Sequence, residues 1–362
     1  MQVDWISAFC ESRGFEASGY RPYDTGRVLL LNPGGELERQ SSRAVTLEGS
    51  YDNRLLVQSR TGADLYVSGN PVKFIQGHNL YGPCDPVRLF FDAGWEIRKA
   101  VGLFPSAATW QGNDFVGPRF TRIDLTRSYR FPSAPAARAW LRDCGATARS
   151  RHGGALLADG TVYFGKTSER WALKLYHKGD ELLARKKGHR LPDELPQREK
   201  LLQWADGVVR FELTLRAKEL EKVFGTKQLV KTASGWQEET GLQDLSRWEP
   251  LTLWQQYYDK VTWNQNAQML EADMFESELR RELRKTLALW RTGADARSVL
   301  SKNTYYKHRR QLLDYMGVDI ASPPPKRAAA TEAPATVLDP KGWDPEPLEG
   351  YVWDPEGQRR LV

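Results

Sequence analysis

The chain has 362 residues, enough for about two domains at a prior of roughly 150 residues each. Its net charge of +6 favours an anionic partner, although acidic and basic residues are mixed along most of the sequence. Three widely spaced cysteines without a Cys-x-x-Cys argue against a disulfide framework or cysteine-based zinc site, and no apolar segment approaches roughly eighteen residues, so we expect a soluble intracellular protein with no membrane partner.

Residues 1 to about 85 are predicted to be rich in β-strands. The turn-forming sequences Asn32-Pro-Gly-Gly and Thr61-Gly separate the β-prone runs. These runs cover residues 27–32, 44–49, 55–59 and 63–68, and the first three are predicted to form an antiparallel meander. His78 then lies between Gly77 and Asn79 in a predicted turn. A single histidine without a second ligand at metal-binding spacing is more typical of a hydrogen-bonded structural residue than of a metal ligand.

Three later strands each place a reactive side chain on a polar face. Apolar and polar residues alternate along residues 120–129, 171–177 and 207–216. The alternation puts Asp124, Tyr176 and Glu212 opposite the apolar side chains. If the strands are neighbours in one antiparallel sheet, the two carboxylates can hold Mg²⁺ or Mn²⁺ beside a phenol. The alternative is that Arg122 pairs with Asp124, and Arg210 with Glu212, as surface charges on a solvated sheet face.

The surroundings of Tyr176 are those of a nucleophile for phosphodiester attack. Lys174 and Lys178 flank it, and Glu181 follows. The two ammonium groups are expected to favour the phenolate and to bind phosphate, while a carboxylate can hold a divalent metal or accept a proton. The alternative is an ordinary amphipathic strand with a tyrosine on its surface.

Helical patterns connect these strands and predict an α+β fold, with a central antiparallel sheet flanked by helices. A helical face begins at Pro86, and shorter helical patterns follow further along the chain. The predicted helices cover residues 86–101, 133–144, 197–205 and 217–224.

The chain from residue 248 to residue 317 is predicted to be largely helical and more basic. A short helix over residues 295–300, a tight turn and a basic-aromatic helix resemble a helix-turn-helix. The last helix carries Tyr305, Lys307, Arg309 and Arg310 as candidate DNA contacts. The alternative is a helical cap with a solvated basic face. After Ile320 the Pro-rich composition predicts a flexible tail without a core.

Four segments together resemble the gene II replication initiators of filamentous bacteriophages. They are Asn70-Pro-Val-Lys-Phe-Ile-Gln-Gly-His-Asn-Leu-Tyr-Gly, Thr121-Arg-Ile-Asp-Leu-Thr, the Tyr176-x-Lys-x-x-Glu181 segment and Leu202-Gln-Trp-Ala-Asp-Gly-Val-Val-Arg-Phe-Glu212, in the family's order. The resemblance covers about residues 65 to 225 and, more loosely, the helical part.

This resemblance implies a rolling-circle initiator in the cytoplasm of a bacterial host. Such proteins bind the double-stranded phage origin, nick the plus strand through a 5′-phosphotyrosyl intermediate and later rejoin the displaced single strand, with a host helicase as an expected partner. The fold implied is similar to that of HUH-type nicking enzymes. The family's nucleophile falls on Tyr176, and Lys178 and Glu181 match as well.

One departure concerns the metal site. HUH enzymes bind their metal through a His-x-His pair, which this sequence lacks. The resemblance therefore implies that Asp124 and Glu212, with Glu181 or His78, supply the ligands for Mg²⁺ or Mn²⁺.

We predict three parts: a nicking domain over residues 1–230, a helical DNA-binding region over residues 231–320 and a flexible tail over residues 321–362. A second interpretation is a non-enzymatic origin-binding protein or repressor built on the same fold. The candidate set of Asp124, Tyr176, Lys178 and Glu212 favours the enzyme.

Overall fold

The computed structural model describes residues 1–11, 25–49, 51, 53–59, 64–100, 117–151, 153–184, 190–232, 235–263, 279–316, 318–321 and 353. The strands are β1 (Gln2–Glu11), β2 (Arg27–Leu31), β3 (Leu37–Ser42), β4 (Ala44–Glu48), β5 (Arg54–Gln58), β6 (Asp64–Gly69), β7 (Arg119–Arg130), β8 (Arg149–Ser150), β9 (Gly153–Gly154), β10 (Leu156–Ala158), β11 (Thr161–Phe164), β12 (Trp171–His177), β13 (Val208–Arg216), β14 (Gly225–Thr232), β15 (Gly235–Gln243) and β16 (Val261–Thr262). The α-helices are α1 (Pro71–Gln76), α2 (Pro86–Ala100), α3 (Ala134–Thr147), α4 (Lys178–Leu183), α5 (Arg198–Ala205), α6 (Ala217–Phe224), α7 (Pro250–Tyr258), α8 (Arg281–Arg291) and α9 (Lys302–Met316).

The main sheet confirms the predicted α+β class. Nine strands lie in the order β10-β11-β12-β13-β7-β1-β6-β5-β4, and each neighbouring pair is antiparallel. The inward side chains of the central strands alternate with polar ones, as in Ile123 and Leu125 of β7 or Phe211 and Leu213 of β13. Helices α2, α3, α6 and α7 pack residues into the same core.

One face of the central sheet packs against the core, and the other carries polar side chains. On the polar face, the segment after α1 crosses the sheet near the end of β12. Arg210 of β13 donates hydrogen bonds to the carbonyls of Asn79 and Leu80, and Gln2 of β1 donates to the carbonyl of Asn79. This segment covers one end of the polar face.

The N-terminal strands correct the sequence prediction in two ways. The predicted meander is confirmed only for its second and third strands, since β4 and β5 pair antiparallel, whereas β2 pairs with β3 in a separate hairpin. Strands β4, β5 and β6 extend the main sheet. Strand β1 was not predicted, yet it lies centrally between β7 and β6. A β-bulge between Val3 and Trp5 shifts its register and breaks the period of two on which strand prediction depends.

The C-terminal part has a core of its own. Side chains of α8 and α9, together with Val318 and Ile320, form a second apolar cluster. Helix α7 instead packs Trp254 and Tyr257 into the core of the main sheet. The predicted boundary at residue 230 therefore separates α7 from the core to which it belongs, and the predicted helical region also contains the β14–β15 hairpin.

The tail prediction falls mostly outside the described residues, except at Trp353. Its indole packs against the main core and donates a hydrogen bond to Asp92 Oδ2 of α2 at 3.1 Å.

Among the helices of the described residues, none is long and apolar enough to cross a membrane.

Candidate catalytic site on the polar face of the sheet

The strand register gathers the predicted site residues into rows on the polar face. Directly opposed residues in antiparallel strands point to the same side of a sheet. The middle row runs across the sheet as Tyr163, Lys174, Glu212, Thr126 and Gln2. Next to it, on one side, lies the row of Tyr176, Arg210 and Ser128; on the other lies the row of Ala172, Thr214, Asp124 and Trp5.

Tyr176 and Lys174 meet at one carboxylate. The Tyr176 hydroxyl donates a hydrogen bond to Glu212 Oε2 at 3.3 Å, and Lys174 Nζ donates to the same oxygen at 3.3 Å. Lys174 Nζ also lies 4.3 Å from the centroid of the Tyr176 ring. The phenol thus has a proton acceptor and a cation beside it.

The expectation that the lysines favour the phenolate is wrong for the protein alone. Burial, followed by the charges of Glu181 and Glu212, raises the pKa of Tyr176 well above its ordinary value of 10.0. Although burial lowers the pKa of Lys174, the charge of Glu212 raises it above the usual value. Tyr176 is 5% exposed, and its phenol is therefore protonated at neutral pH.

Lys178 is completely buried at the first position of α4. Its ammonium donates to Asn79 Oδ1 at 2.9 Å and to Glu181 Oε2, and it lies 5.9 Å from the Tyr176 ring centroid. Burial lowers the pKa of Lys178 to about 8. Glu181 is thus engaged by Lys178 in an ion pair.

A buried network that the sequence did not reveal holds this end of the site together. Asn79 Nδ2 donates to both carboxylate oxygens of Asp4, at 2.9 and 2.8 Å, while its Oδ1 accepts from Lys178. Asn70 also donates to Asp4, at 3.0 Å. The completely buried Arg210 lies 4.0 Å from Asp4. Asp4 is therefore a fixed counter-charge, and Asn79 connects it to Lys178.

The two mid-strand carboxylates lie on the same face, and each already has a partner. Arg122 binds Asp124 through two hydrogen bonds, at 2.9 and 2.6 Å, so this pairing of the alternative is present, but Asp124 is buried and not on a solvated surface. Arg210 binds backbone carbonyls and does not pair with Glu212, so the other half of that alternative is wrong. Burial raises the pKa of Asp124 to about 6; the Arg122 hydrogen bonds oppose this rise and the charge of Glu212 adds to it.

Thr126 lies between these two carboxylates. It is opposite Glu212 in the register and two residues from Asp124 on the same face. Its hydroxyl is buried and has no hydrogen-bond partner among the described residues. Mg²⁺ typically takes one or two carboxylates and completes its shell with water and substrate phosphate, so these oxygen donors are of the kind that such a cation takes. A cation here would share Asp124 with Arg122, which binds both of its carboxylate oxygens.

A larger protein cage for a metal is not present in the described part of the chain. No group of three or more His, Cys, Asp and Glu side chains there comes close enough to hold a metal ion. His78 does not favour a ligand role either. Its Nδ1 faces the Gln76 amide at 3.3 Å and the Leu80 backbone N–H at 3.4 Å. Burial, with the charges of Lys178, Arg210 and Lys73, lowers its pKa to about 3, and the same cations would repel a metal.

The predicted DNA contacts of α9 fall into two groups. Tyr305 is 2% exposed in the second core, which corrects the expectation that its ring faces DNA; the exposed ring is that of Tyr306. Arg309 is held by two hydrogen bonds to the buried Asp319. Lys307 and Arg310 are exposed, so they are the members of the predicted set that can reach a phosphate.

Comparison with known proteins agrees with the sequence motifs. A family model described as the N-terminal part of the phage gene II replication-associated protein matches residues 4–239. The gene II replication-associated protein of Enterobacteria phage I2-2 is 29% identical over 326 residues, which are 88% of each chain. No solved structure matches the chain.

Proposed function

This chain belongs to the family of phage gene II replication-associated proteins, the initiators of phage DNA replication, and we propose that it nicks and rejoins origin DNA through Tyr176. In the proposed reaction the Tyr176 oxygen attacks a phosphodiester of the plus strand at a double-stranded origin. A tyrosine O–P bond forms, the P–O3′ bond breaks, and the released 3′-oxygen takes up a proton. The reverse reaction joins the displaced strand, and a host helicase is the proposed strand-separating partner.

The observation that carries the proposal is the contact of Tyr176 with Glu212. A hydroxyl at 3.3 Å from a carboxylate oxygen can pass its proton to that oxygen as it becomes a nucleophile. Lys174 donates to the same oxygen, Glu212 Oε2, and keeps it beside the phenol. Because the bond energy is conserved in the tyrosyl ester, the joining step needs no nucleotide cofactor.

The cation of the proposal is Mg²⁺ or Mn²⁺, held by Glu212 and Asp124 with Thr126 nearby. When bound, such a cation polarises the phosphoryl oxygen and stabilises the leaving 3′-oxygen. Lys178, fixed by Asn79 and Glu181, contributes a second positive charge, 5.9 Å from the centroid of the Tyr176 ring. Glu181 stays with Lys178 in this scheme, and His78 is not used as a ligand.

Replacing Tyr176 with phenylalanine tests the proposal. The ring packing is kept, and the lost hydrogen bond at 3.3 Å costs about 1 kcal/mol or less. We expect no conversion of a supercoiled plasmid carrying the phage origin to open circle, and no protein–DNA adduct after denaturation.

The matched control is Tyr163→Phe. Tyr163 lies on the same face, opposite Lys174, with Lys166 over its ring at 4.5 Å. The Tyr163→Phe variant should nick normally. If the adduct persists in Tyr176→Phe and maps to Tyr163, the nucleophile assignment is wrong while the reaction class stands. If the wild-type protein with Mg²⁺ or Mn²⁺ gives neither nick nor adduct but binds origin DNA, the non-enzymatic alternative is correct.

Origin recognition is proposed for the C-terminal part. Lys307 and Arg310 project from α9 beside the exposed Tyr306. Their charges are placed to contact phosphates, with α9 as the proposed recognition helix.

A further inference from the structure

Strand β1 carries a tryptophan on the polar face instead of in the core. The core side chains of β1 include Val3, Ile6 and Ala8, which are completely buried. Trp5 is only partly buried and lies opposite Asp124, in the row next to Glu212. Its indole N–H donates to Ser7 Oγ at 3.2 Å. The ring is thus fixed on the same surface as the candidate nucleophile.

Two arginines give this end of the polar face a positive character. The Arg122 guanidinium lies 4.9 Å from the centroid of the Trp5 ring and is held there by Asp124. Arg216 is directly opposite Arg122 in the neighbouring strand. It donates to the neutral carbonyls of Ser168 and Lys166. Like charges placed directly opposite each other are unfavourable. Asp124 compensates the charge of Arg122 here, whereas the carbonyl partners of Arg216 are neutral.

We infer that Trp5, backed by Arg122, is a stacking site for an unpaired base of the DNA strand that leads to Tyr176. The inference rests on the proposed function and adds a contact to its substrate. A partly exposed flat ring beside cations on a sheet face is an arrangement with which proteins bind single strands, because bases stack on the ring and phosphates meet the cations. Bases inside a duplex are already stacked, so the site selects a strand that has been opened.

The spacing between the stacking site and the nucleophile suits a short stretch of single strand. Trp5 and Tyr176 are three strand spacings apart and offset by four residues along the strands. With strands about 4.8 Å apart and about 3.4 Å per residue, their Cα atoms are separated by about 20 Å. That distance corresponds to at most about six nucleotides at 3.4 Å per nucleotide.

Binding of two matched oligomers to the full-length Tyr176→Phe protein separates base stacking from phosphate contacts. The probes are an oligothymidylate of about twelve nucleotides, within the site sizes of single-strand binding folds, and an abasic deoxyribose-phosphate oligomer of the same length. Both carry the same charge, so the dissociation constant of the abasic oligomer divided by that of the oligothymidylate reports the contribution of the bases. Replacing Trp5 with alanine should reduce this ratio by about 5- to 150-fold, the range for loss of one stacked base.

Three further variants keep the result interpretable. Trp5→Phe should restore most of the ratio, whereas Trp5→Leu keeps apolar bulk without a flat ring and should not. Trp353→Ala removes an indole that packs beside α2 and should leave the ratio unchanged. The inference would be overturned if the ratio is the same with and without Trp5→Ala in the Tyr176→Phe protein. It would also be overturned if Trp5→Leu keeps the full ratio.

Failure of this inference and failure of the proposed function give different results. If Trp5→Ala in an otherwise wild-type chain forms the Tyr176 adduct and the ratio does not change, the stacking site is wrong and the nicking function stands. If the ratio depends on Trp5 but the wild-type chain forms no adduct, the chain binds single strands without the proposed chemistry.

Discussion

Replacing Lys178 with methionine tests whether the buried ammonium is kept for catalysis and not for stability. Lys178 is completely buried, and burial lowers its pKa to about 8. Methionine has a similar length and needs no hydration, and buried ion pairs can often be replaced by apolar side chains without loss of stability. The variant should lose nicking while it keeps the fold.

The stability cost of burying the ammonium follows from the pKa of Lys178. The difference between about 8 in the folded protein and 10.5 in an unfolded chain corresponds to about 3 kcal/mol, at about 1.4 kcal/mol per pH unit. Between these two values the unfolded chain binds more protons than the folded protein, so the free energy of unfolding rises with pH. Below pH 8 the lysine is protonated in both states and the full cost is present.

Methionine removes this pH dependence. It also leaves Asn79 Oδ1 and Glu181 without the ammonium, which offsets part of the gain. At pH 7 we therefore expect unfolding free energies of wild type and Lys178→Met to agree within about 2 kcal/mol, the size of one or two such hydrogen bonds.

Urea unfolding at pH 7 and at pH 10, followed by tryptophan fluorescence, measures the difference between the two proteins. The wild type should gain about 2 to 3 kcal/mol relative to Lys178→Met over this interval. Groups that do not interact with Lys178 titrate equally in both proteins and cancel. A difference that stays constant with pH, or normal nicking by the variant, would refute the reasoning.

Three other changes have distinct expected outcomes. Asp4→Asn removes the counter-charge near the completely buried Arg210 and should lower the free energy of unfolding by about 3–5 kcal/mol, measured by denaturant titration. Trp353→Ala removes an indole packed against the core and should lower the melting temperature by a few degrees, about 1 kcal/mol in a chain of this size, measured by calorimetry. Lys307→Ala combined with Arg310→Ala should weaken origin binding and reduce the salt slope by about two, with unchanged stability; an unchanged slope would support the solvated-face alternative.

The strands that carry the site were predictable because each has one apolar and one polar face. The alternation predicted residues 120–129, 171–177 and 207–216, and the structure has β7, β12 and β13 within one residue of those limits. The same alternation placed Asp124, Tyr176 and Glu212 on one face, as the register confirms. Local periodicity suffices there, since burial of every second residue leaves a direct mark on the sequence.

The partners of those residues were not predictable, because they come from distant parts of the chain. Asn79 and Asp4 are 75 residues apart, Lys178 and Asn79 are 99 apart, and Arg210 and Asn79 are 131 apart. No local pattern marks such contacts. Strand β1, which supplies Asp4 and Trp5, has its alternation interrupted by a bulge. One of the two interpretations of the sequence therefore paired Arg210 with Glu212, whereas in the structure Arg210 holds the segment that carries Asn79.

The arrangement also makes activation of Tyr176 depend on what binds beside it. Burial and the charges of Glu181 and Glu212 raise the pKa of the phenol, and the two lysines do not reverse this. A divalent cation on Glu212 and Asp124 would cancel part of the carboxylate charge and lower the pKa of Tyr176 again. Because such a cation fills its shell with substrate phosphate, its binding and the arrival of DNA reinforce each other. In the proposed mechanism the nucleophile is therefore unreactive in the protein alone and gains reactivity only when the phosphodiester is in place.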